Sequence, residues 1–307
     1  MSDHATSYTA GADDAGASVA EVAARLLGDA GRVAVARGGA WLGGRRARGD
    51  ERLRPGDALE LRRPPGGAYA DVVLGPADIL FEDAWLLAVA KRAGWYVGAT
   101  PWDAVGNVLA ALGRWLAARE GEAPPLHLAH QLDRDTSGVL LVSRHPAANA
   151  PLQAAFAEGR VAKRYLALCA GAPPPAGEIR TGHGRAAGGL WRVYPADEVG
   201  RELPAGGGRV RLAHTSFRTL RYLQDAALVE AEPRTGRTHQ IRLHLAHLGH
   251  PLLGDARYGG PPAYAGLALP GHLLHAAALG LDHPVTQARL ELECAPPERF
   301  RRALALG

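Results

Sequence analysis

His127-Leu128-Ala129-His130-Gln131-Leu132-Asp133-Arg134-Asp135-Thr136-Ser137-Gly138-Val139-Leu140-Leu141-Val142 reads differently in its two halves. Val139 to Val142 is wholly apolar with β-branched ends, which suits a strand buried on both faces. Asp133 to Gly138 is polar and ends in Ser-Gly, so it is expected as the loop feeding that strand. The pattern delivers a carboxylate to the edge of a rigid core, where catalytic groups tend to sit. It also fits, on the local pattern better, an Asp133 or Asp135 that caps a turn through its side chain. The local residues leave both readings open.

A second stretch carries comparable information, Glu232-Pro233-Arg234-Thr235-Gly236-Arg237-Thr238-His239-Gln240-Ile241-Arg242-Leu243-His244-Leu245-Ala246-His247-Leu248-Gly249-His250-Pro251. Ile241, Leu245 and Leu248 fall at i, i+4 and i+7, which predicts a helix from about Thr238 to Leu248 with that stripe buried. Gly249 is well placed at its end. Arg234 to Arg237 precede it as a loop, and guanidinium groups beside a helix N-terminus make a phosphate site. Arg242 lies about 100° round the helix from Ile241. It either reaches from the edge of the stripe into a cleft or lies along the surface with its stem on apolar neighbours. His239, His244, His247 and His250 raise a metal site as an alternative. Only His244 and His247 share a helical face, and no acidic residue interrupts the cluster, so no metal is expected.

Between the two stretches, Pro146 to Glu158 is predicted as a helix, with Pro146 in its first turn. Val161 to Leu168 alternates and predicts a strand with Val161, Lys163, Tyr165 and Ala167 on one face. Taken alone it suits an amphipathic edge strand. Ala172 to Gly208 shows little periodicity and is expected as loops and short strands. Thr215–Phe217 and Ala226–Ala231 are expected as antiparallel partners. Upstream, Trp85 to Lys91 is a strand candidate and Val105 to Arg119 a helix.

Residues 1–17 are small, polar and aperiodic, and a disordered tail is expected. Residues 18–66 read as a small basic α/β module, opened by a helix with Ser18 as N-cap and ended by Pro64-Pro65-Gly66-Gly67 as a linker. Its arginines (Arg32, Arg37, Arg45, Arg46, Arg48, Arg52, Arg54, Arg62, Arg63) fit either a solvated face or a nucleic-acid-binding surface. Residues 67–307 are expected as the second domain.

The 307 residues allow a full core, and 47% are hydrophobic. The formal net charge of +4 permits nucleic-acid binding without demanding it. Lysine occurs only at Lys91 and Lys163, the other cations being arginine, which draws attention to those two positions. The two cysteines, Cys169 and Cys294, stand alone in apolar settings, as expected of free thiols in a reducing compartment. No apolar run is long enough to span a bilayer and no secretory signal is evident.

Together the motifs resemble the RluA-type RNA pseudouridine synthases. His130-Gln131-Leu132-Asp133-Arg134-Asp135-Thr136-Ser137-Gly138 is similar to that family's catalytic loop, and Lys163-Arg164-Tyr165 to its Lys-x-Tyr strand. Thr235 to Arg242, Gly249-His250-Pro251, Gly254-Asp255-x-x-Tyr258-Gly259, and His275-Ala276 with His283-Pro284 resemble its later blocks. The likeness runs from about Asp71 to the C-terminus. Residues 18–66 are faintly similar to the α-L RNA-binding module.

The resemblance implies an α+β fold with a mainly antiparallel mixed sheet, flanking helices and a central RNA cleft. It implies conversion of uridine to pseudouridine in structured RNA, rRNA or tRNA, by a cytoplasmic bacterial monomer without cofactor or membrane. Asp133 would act at the ribose, Arg242 would hold it ionised and aimed, and Tyr165 would wall the flipped base. Gln131, Arg134, Lys163, Arg237 and His239 would contact RNA. In this chain Gln131 stands where the family most often has Arg, and Arg92 where Pro usually follows the strand lysine.

Overall fold

The structure, a computed structural model, describes residues 4–186, 190–204 and 206–307. It divides into two units. One comprises the chain up to residue 74 together with 95–123; the other comprises 75–94 and 124–307.

The first unit contains β1 (Ala5–Thr9), α1 (Val19–Leu27), α2 (Asp29–Ala36), β2 (Ala40–Leu42), β3 (Arg45–Arg46), β4 (Ala58–Arg62) and α3 (Val108–Glu120). Its sheet runs β1-β4-β2-β3. Ser18 caps α1 as expected: its Oγ accepts from Glu21 N at 3.2 Å, and the Glu21 carboxylate accepts from Ser18 N at 2.6 Å. Val19, Val22 and Ala23 then pack with Leu59 and Leu61 in a small core.

Two expectations are corrected here. The tail is not wholly disordered, because β1 pairs antiparallel with β4. Its polar residues find partners: buried Asp14 accepts from the Tyr8 hydroxyl at 2.6 Å and from Gly11 N at 2.8 Å. The boundary at 66/67 also fails, since residues 95–123 return to the N-terminal unit. Trp41 Nε1 donates to Pro101 O at 2.7 Å, Arg46 to Thr100 O at 2.8 Å and Arg37 to Asp103 at 2.7 Å. Arg32, Arg45, Arg48 and Arg62 pair with Asp29, Glu51, Asp50 and Glu60, so much of the basic charge is matched within the unit.

The second unit holds β5 (Ile79–Glu82), β6 (Leu86–Lys91), β7 (His127–Leu128), β8 (Ser137–Ser143), α4 (Pro146–Ala157), β9 (Ala162–Ala170), β10 (Ala176–Arg185), β11 (Trp191–Tyr194), β12 (Arg211–Leu223) and β13 (Ala226–Pro233). It continues with α5 (Gln240–His247), a short hairpin of β14 (Ala263–Tyr264) and β15 (Leu267–Ala268), β16 (Leu274–Asp282), β17 (Arg289–Glu293) and α6 (Glu298–Ala305). The main sheet runs β11-β10-β12-β13-β9-β16-β8-β6-β5, with β17 beside β16 and β7 beside β8. Its pairs are antiparallel except β8 with β16.

β8 is buried along its whole length, as its apolar run requires. Val139 and Leu141 pack with Leu86, Ala88 and, from α4, Leu152. A second core joins Ala167, Val229, Ile241 and Leu245, which seats α5. Leu248 is not part of the buried stripe: α5 ends at His247, and Leu248 is 36% exposed. Nor is β9 an edge strand, since β13 and β16 flank it. The segment expected as loops and short strands contains the ten-residue β10.

Gly138 joins β8 to its parallel neighbour, opposite Ala276. Its φ is +114°, and a Cβ there would lie 2.1 Å from Ala276 O. Gly113 in α3 has an ordinary neighbour, Ala123 Cβ at 3.9 Å. Urea unfolding should therefore show Gly138→Ala destabilised by more than about 2 kcal/mol. Gly113→Ala is expected to be stabilised by up to about 1 kcal/mol. Equal midpoints for the two variants would contradict this account of the junction.

Candidate active site

Asp133 lies on the loop that enters β8, and Lys91 at the end of β6 ties that loop down. The buried Lys91 ammonium donates to the carbonyls of Thr136 (2.7 Å), Arg134 (2.8 Å), Asp133 (3.1 Å) and Arg92 (3.2 Å). Burial pushes its pKa down to about 7, against the opposing pull of Asp135 and Asp133. One of the two lysines of the chain thus serves as an internal cap for the loop, adding to the backbone bonds from Thr136 N to Asp133 O (3.1 Å) and from Gly94 N to Arg134 O (2.9 Å).

From the other side, Arg242 projects from α5. Its Nη1 donates to Asp133 Oδ2 at 2.9 Å, while Nε and Nη2 grip Asp255 at 2.7 and 2.9 Å. The guanidinium is 7% exposed and lies 5.0 Å from the centre of the Tyr258 ring. Burial opposes its charge, but pairing with Asp255 and Asp133 outweighs this and raises its pKa. Of the two readings left open for Arg242, the structure supports the cleft. Asp133 is correspondingly more than a turn cap: its carboxylate is held across the cleft wall.

His239 precedes α5 with φ of +58°, a left-handed conformation uncommon outside glycine. Its Nδ1 meets the Tyr258 hydroxyl at 2.6 Å, and its Nε2 lies 3.8 Å from Asp133 Oδ1. Gln240 fixes the arginine loop: its Oε1 accepts from Thr235 Oγ1 at 2.7 Å and Arg237 N at 3.0 Å.

These groups line a cleft of 630 Å³. Asp133, Tyr165, Arg242, Gln131, Lys163, Arg237 and His239 all contribute to its wall. Arg134 does not; it is exposed and forks onto Asp135 at 2.9 and 3.0 Å, so the structure does not bring it to the cleft. Lys163 and Tyr165 share a face of β9, as alternation requires. Lys163 makes one long contact, to Thr235 O at 3.4 Å, and burial and then Arg237 lower its pKa. Burial, reinforced by Asp133, raises the pKa of the Tyr165 hydroxyl, so it keeps its proton. Sequence reasoning gave no role to Lys91, Asp255 or Tyr258. The signal for Lys91 was its rarity; that for Asp255 was a carboxylate within a recognisable motif.

Residues 86–247 match the family described as RNA pseudouridylate synthase. RNA pseudouridine synthase 1 of Oryza sativa subsp. japonica is 39% identical over 265 residues, covering 74% of this chain and 75% of the relative. Ribosomal large subunit pseudouridine synthase D of Zymomonas mobilis is 33% identical, covering 78% and 74%. Among solved structures, Human RNA Pseudouridylate Synthase Domain Containing 4 superposes with a TM-score of 0.62 at 26% identity, covering 75% of this chain and 92% of its own. The chain belongs to the RluA-type RNA pseudouridine synthases, which are isomerases.

The histidine cluster is dispersed into separate contacts. Both ring nitrogens of His244 meet threonine hydroxyls, Thr215 at 2.8 Å and Thr181 at 3.0 Å, and His250 Nδ1 donates to Ala170 O at 2.9 Å. Among the described residues no three His, Cys, Asp or Glu side chains gather as a ligand set. His272, bonded to Thr136 Oγ1 at 2.8 Å, is buried like His244. Burial lowers the pKa of each to about 4. Because each binds its proton less readily folded than unfolded, its stabilisation is complete above about pH 6.5 and is lost as pH falls towards 4. The slope is about 1.4 kcal/mol per pH unit for each histidine. Urea midpoints should therefore drop steeply from pH 6.5 to 5, and His244→Gln should flatten that drop. An unchanged slope in the variant would remove His244 from this account.

Proposed function

We propose that this protein isomerises uridine in structured RNA, rRNA or tRNA, with Asp133 as the essential carboxylate. The observation that carries the reading is the Asp133–Arg242–Asp255 array on the wall of the cleft. In the reaction the bond from ribose C1′ to uracil N1 breaks and a bond from C1′ to C5 forms. C5 gives up its proton and N1 gains one. Breaking the first bond develops positive charge on the ribose, which a carboxylate stabilises or attacks. Arg242 aims that carboxylate, and Asp255 aims Arg242. Tyr165 supplies the ring against which the flipped base stacks.

Lys163 and Arg237, on the cleft wall, meet phosphates, and His239 and Gln131 hydrogen-bond to the RNA near the target. Arg134 is better read as a partner of Asp135 than as a cleft contact. The exchange of bonds adds no atoms and changes no oxidation state, so its balance calls for no cofactor. The names of the ribosomal large subunit relatives favour rRNA as the first substrate to examine. We take the protein to act as a monomer. We place the activity in a bacterial cytoplasm, consistent with two unpaired thiols.

Pseudouridine mapping by carbodiimide-blocked primer extension tests this on RNA from a deletion strain carrying wild type or Asp133→Asn. Wild type should restore one or a few sites, whereas Asp133→Asn should restore none while still binding RNA. Residual turnover above about a tenth of wild type would exclude Asp133 as the essential group, since loss of such a group costs several orders of magnitude. Arg242→Lys cannot grip both carboxylates and should lose at least about 100-fold in kcat, with KM for RNA much less affected.

A further inference from the structure

Beyond the cleft, the outermost strands of the main sheet carry a group of side chains to which the reaction assigns no role. In antiparallel pairs, residues directly opposite share a face. Arg185 is opposite Trp191, and His183 is opposite Val193 on one side and Arg211 on the other. The face that holds His183 therefore includes Thr181, His183, Arg185, Trp191, Val193, Arg211 and Ala213, and among these described residues there are cations and an indole but no carboxylate. Arg185 and Arg211 are exposed, and Trp191 is part-exposed.

This face is coupled to the cleft wall. Trp191 stacks on His183, with ring centres 4.9 Å apart and planes inclined by 22°. His183 is 3% exposed, and its Nε2 donates to Thr238 O at 2.8 Å. Thr238 and its neighbour Arg237 line the cleft. Arg237 Nε donates to Leu212 O at 2.9 Å, which sets Arg237 beside Arg211. The charge of Arg211 lowers the pKa of Arg237, after the larger effect of burial. A positive strip thus leaves the cleft at Arg237 and reaches an indole whose orientation is fixed from behind by a buried imidazole.

We propose that Trp191, Arg211 and Arg185 form a second RNA-contact site, a stacking platform for an unpaired base flanking the target nucleotide. The indole takes the base on the stack already begun by His183, and the two arginines take the adjoining phosphates. The strip is continuous with the cleft at Arg237, so an indole flanked by guanidinium groups there suits a nucleobase and its phosphates on the same RNA. The site deepens the proposed function and rests on RNA occupying the cleft. It adds affinity and register without touching the reacting atoms.

The test is fluorescence anisotropy with a fluorescein-labelled 12-residue oligouridylate, together with KM and kcat on unmodified large-subunit rRNA transcript. Trp191→Ala should weaken the oligonucleotide at least about 5-fold, as loss of one base–aromatic stack does. Trp191→Phe should keep binding within about 3-fold, and Trp191→Leu should not, because stacking needs a π face. Arg211→Ala should lower the slope of log Kd against log salt by about 0.7, the value for one phosphate contact on a single strand. The loss in Trp191→Ala should fall on KM for the transcript.

Thermal unfolding monitors the fold; should Trp191→Ala unfold, the Phe and Leu variants and the salt slope of Arg211→Ala decide. Undiminished binding by folded Trp191→Ala, full rescue by Leu, an unchanged salt slope, or failure of wild type to bind the oligonucleotide each overturns the proposal. Absence of pseudouridine with wild type instead refutes the proposed reaction, and that result is independent of Trp191.

Discussion

A buried guanidinium must be neutralised by well-placed partners, because removing one from a buried pair costs about 3–5 kcal/mol. Arg242 meets that demand with two carboxylates from different parts of the chain. Asp255 takes two of its nitrogens and so fixes the plane of the group. The remaining nitrogen is left pointing at Asp133, 109 positions away in sequence. Local order in the site follows from this one cation. Tyr258 covers its face, His239 bonds to the Tyr258 hydroxyl, and Lys91 restrains the Asp133 loop from beneath.

The groups around the cleft differ sharply in how tightly they are held. Arg242 makes three short charged hydrogen bonds, and Gln240 makes four contacts of 2.7–3.0 Å. Lys163 makes a single contact at 3.4 Å, beyond the ordinary range for a good hydrogen bond. In the proposed function, such a cation gives up little when a phosphate arrives. The proposed roles account for this contrast: aiming a carboxylate at a carbon atom rewards rigidity, whereas following a nucleic-acid backbone rewards reach.

The elements that position the site were legible because their sequences carry strong, local signals. The apolar run of β8, the alternation of β9 and the buried stripe of α5 are visible without tertiary information. β10 was not legible, for a physical reason. Gly182 and Gly184 have no side chains, and Val210, Tyr194 and Leu203 occupy the space, so the strand lacks the expected alternation. The return of residues 95–123 to the first unit depends on Arg37, Arg46 and Trp41 meeting distant carbonyls and carboxylates, which no local pattern encodes. In the site, residue type and spacing drew attention to Asp133 and Arg242 but left a turn cap and a surface arginine open, and their roles came from the family resemblance. Asp255 could not be assigned a role, because a carboxylate's partner is set by packing. The pairing of Arg134 with its neighbour Asp135 could likewise not be read from the sequence.

The parallel junction of β8 with β16 also sets the order in which the enzyme becomes an enzyme. The Asp133 loop is buttressed by segments made late: His272 bonds Thr136, His275 bonds Ser137, and Ala276 lies against Gly138. A nascent chain on the ribosome holds the loop long before it holds these supports, and contacts so distant in sequence close slowly. A partial chain therefore holds the Asp133 loop without the segments that buttress it. The support of that loop is thus completed by the last part of the chain to be made.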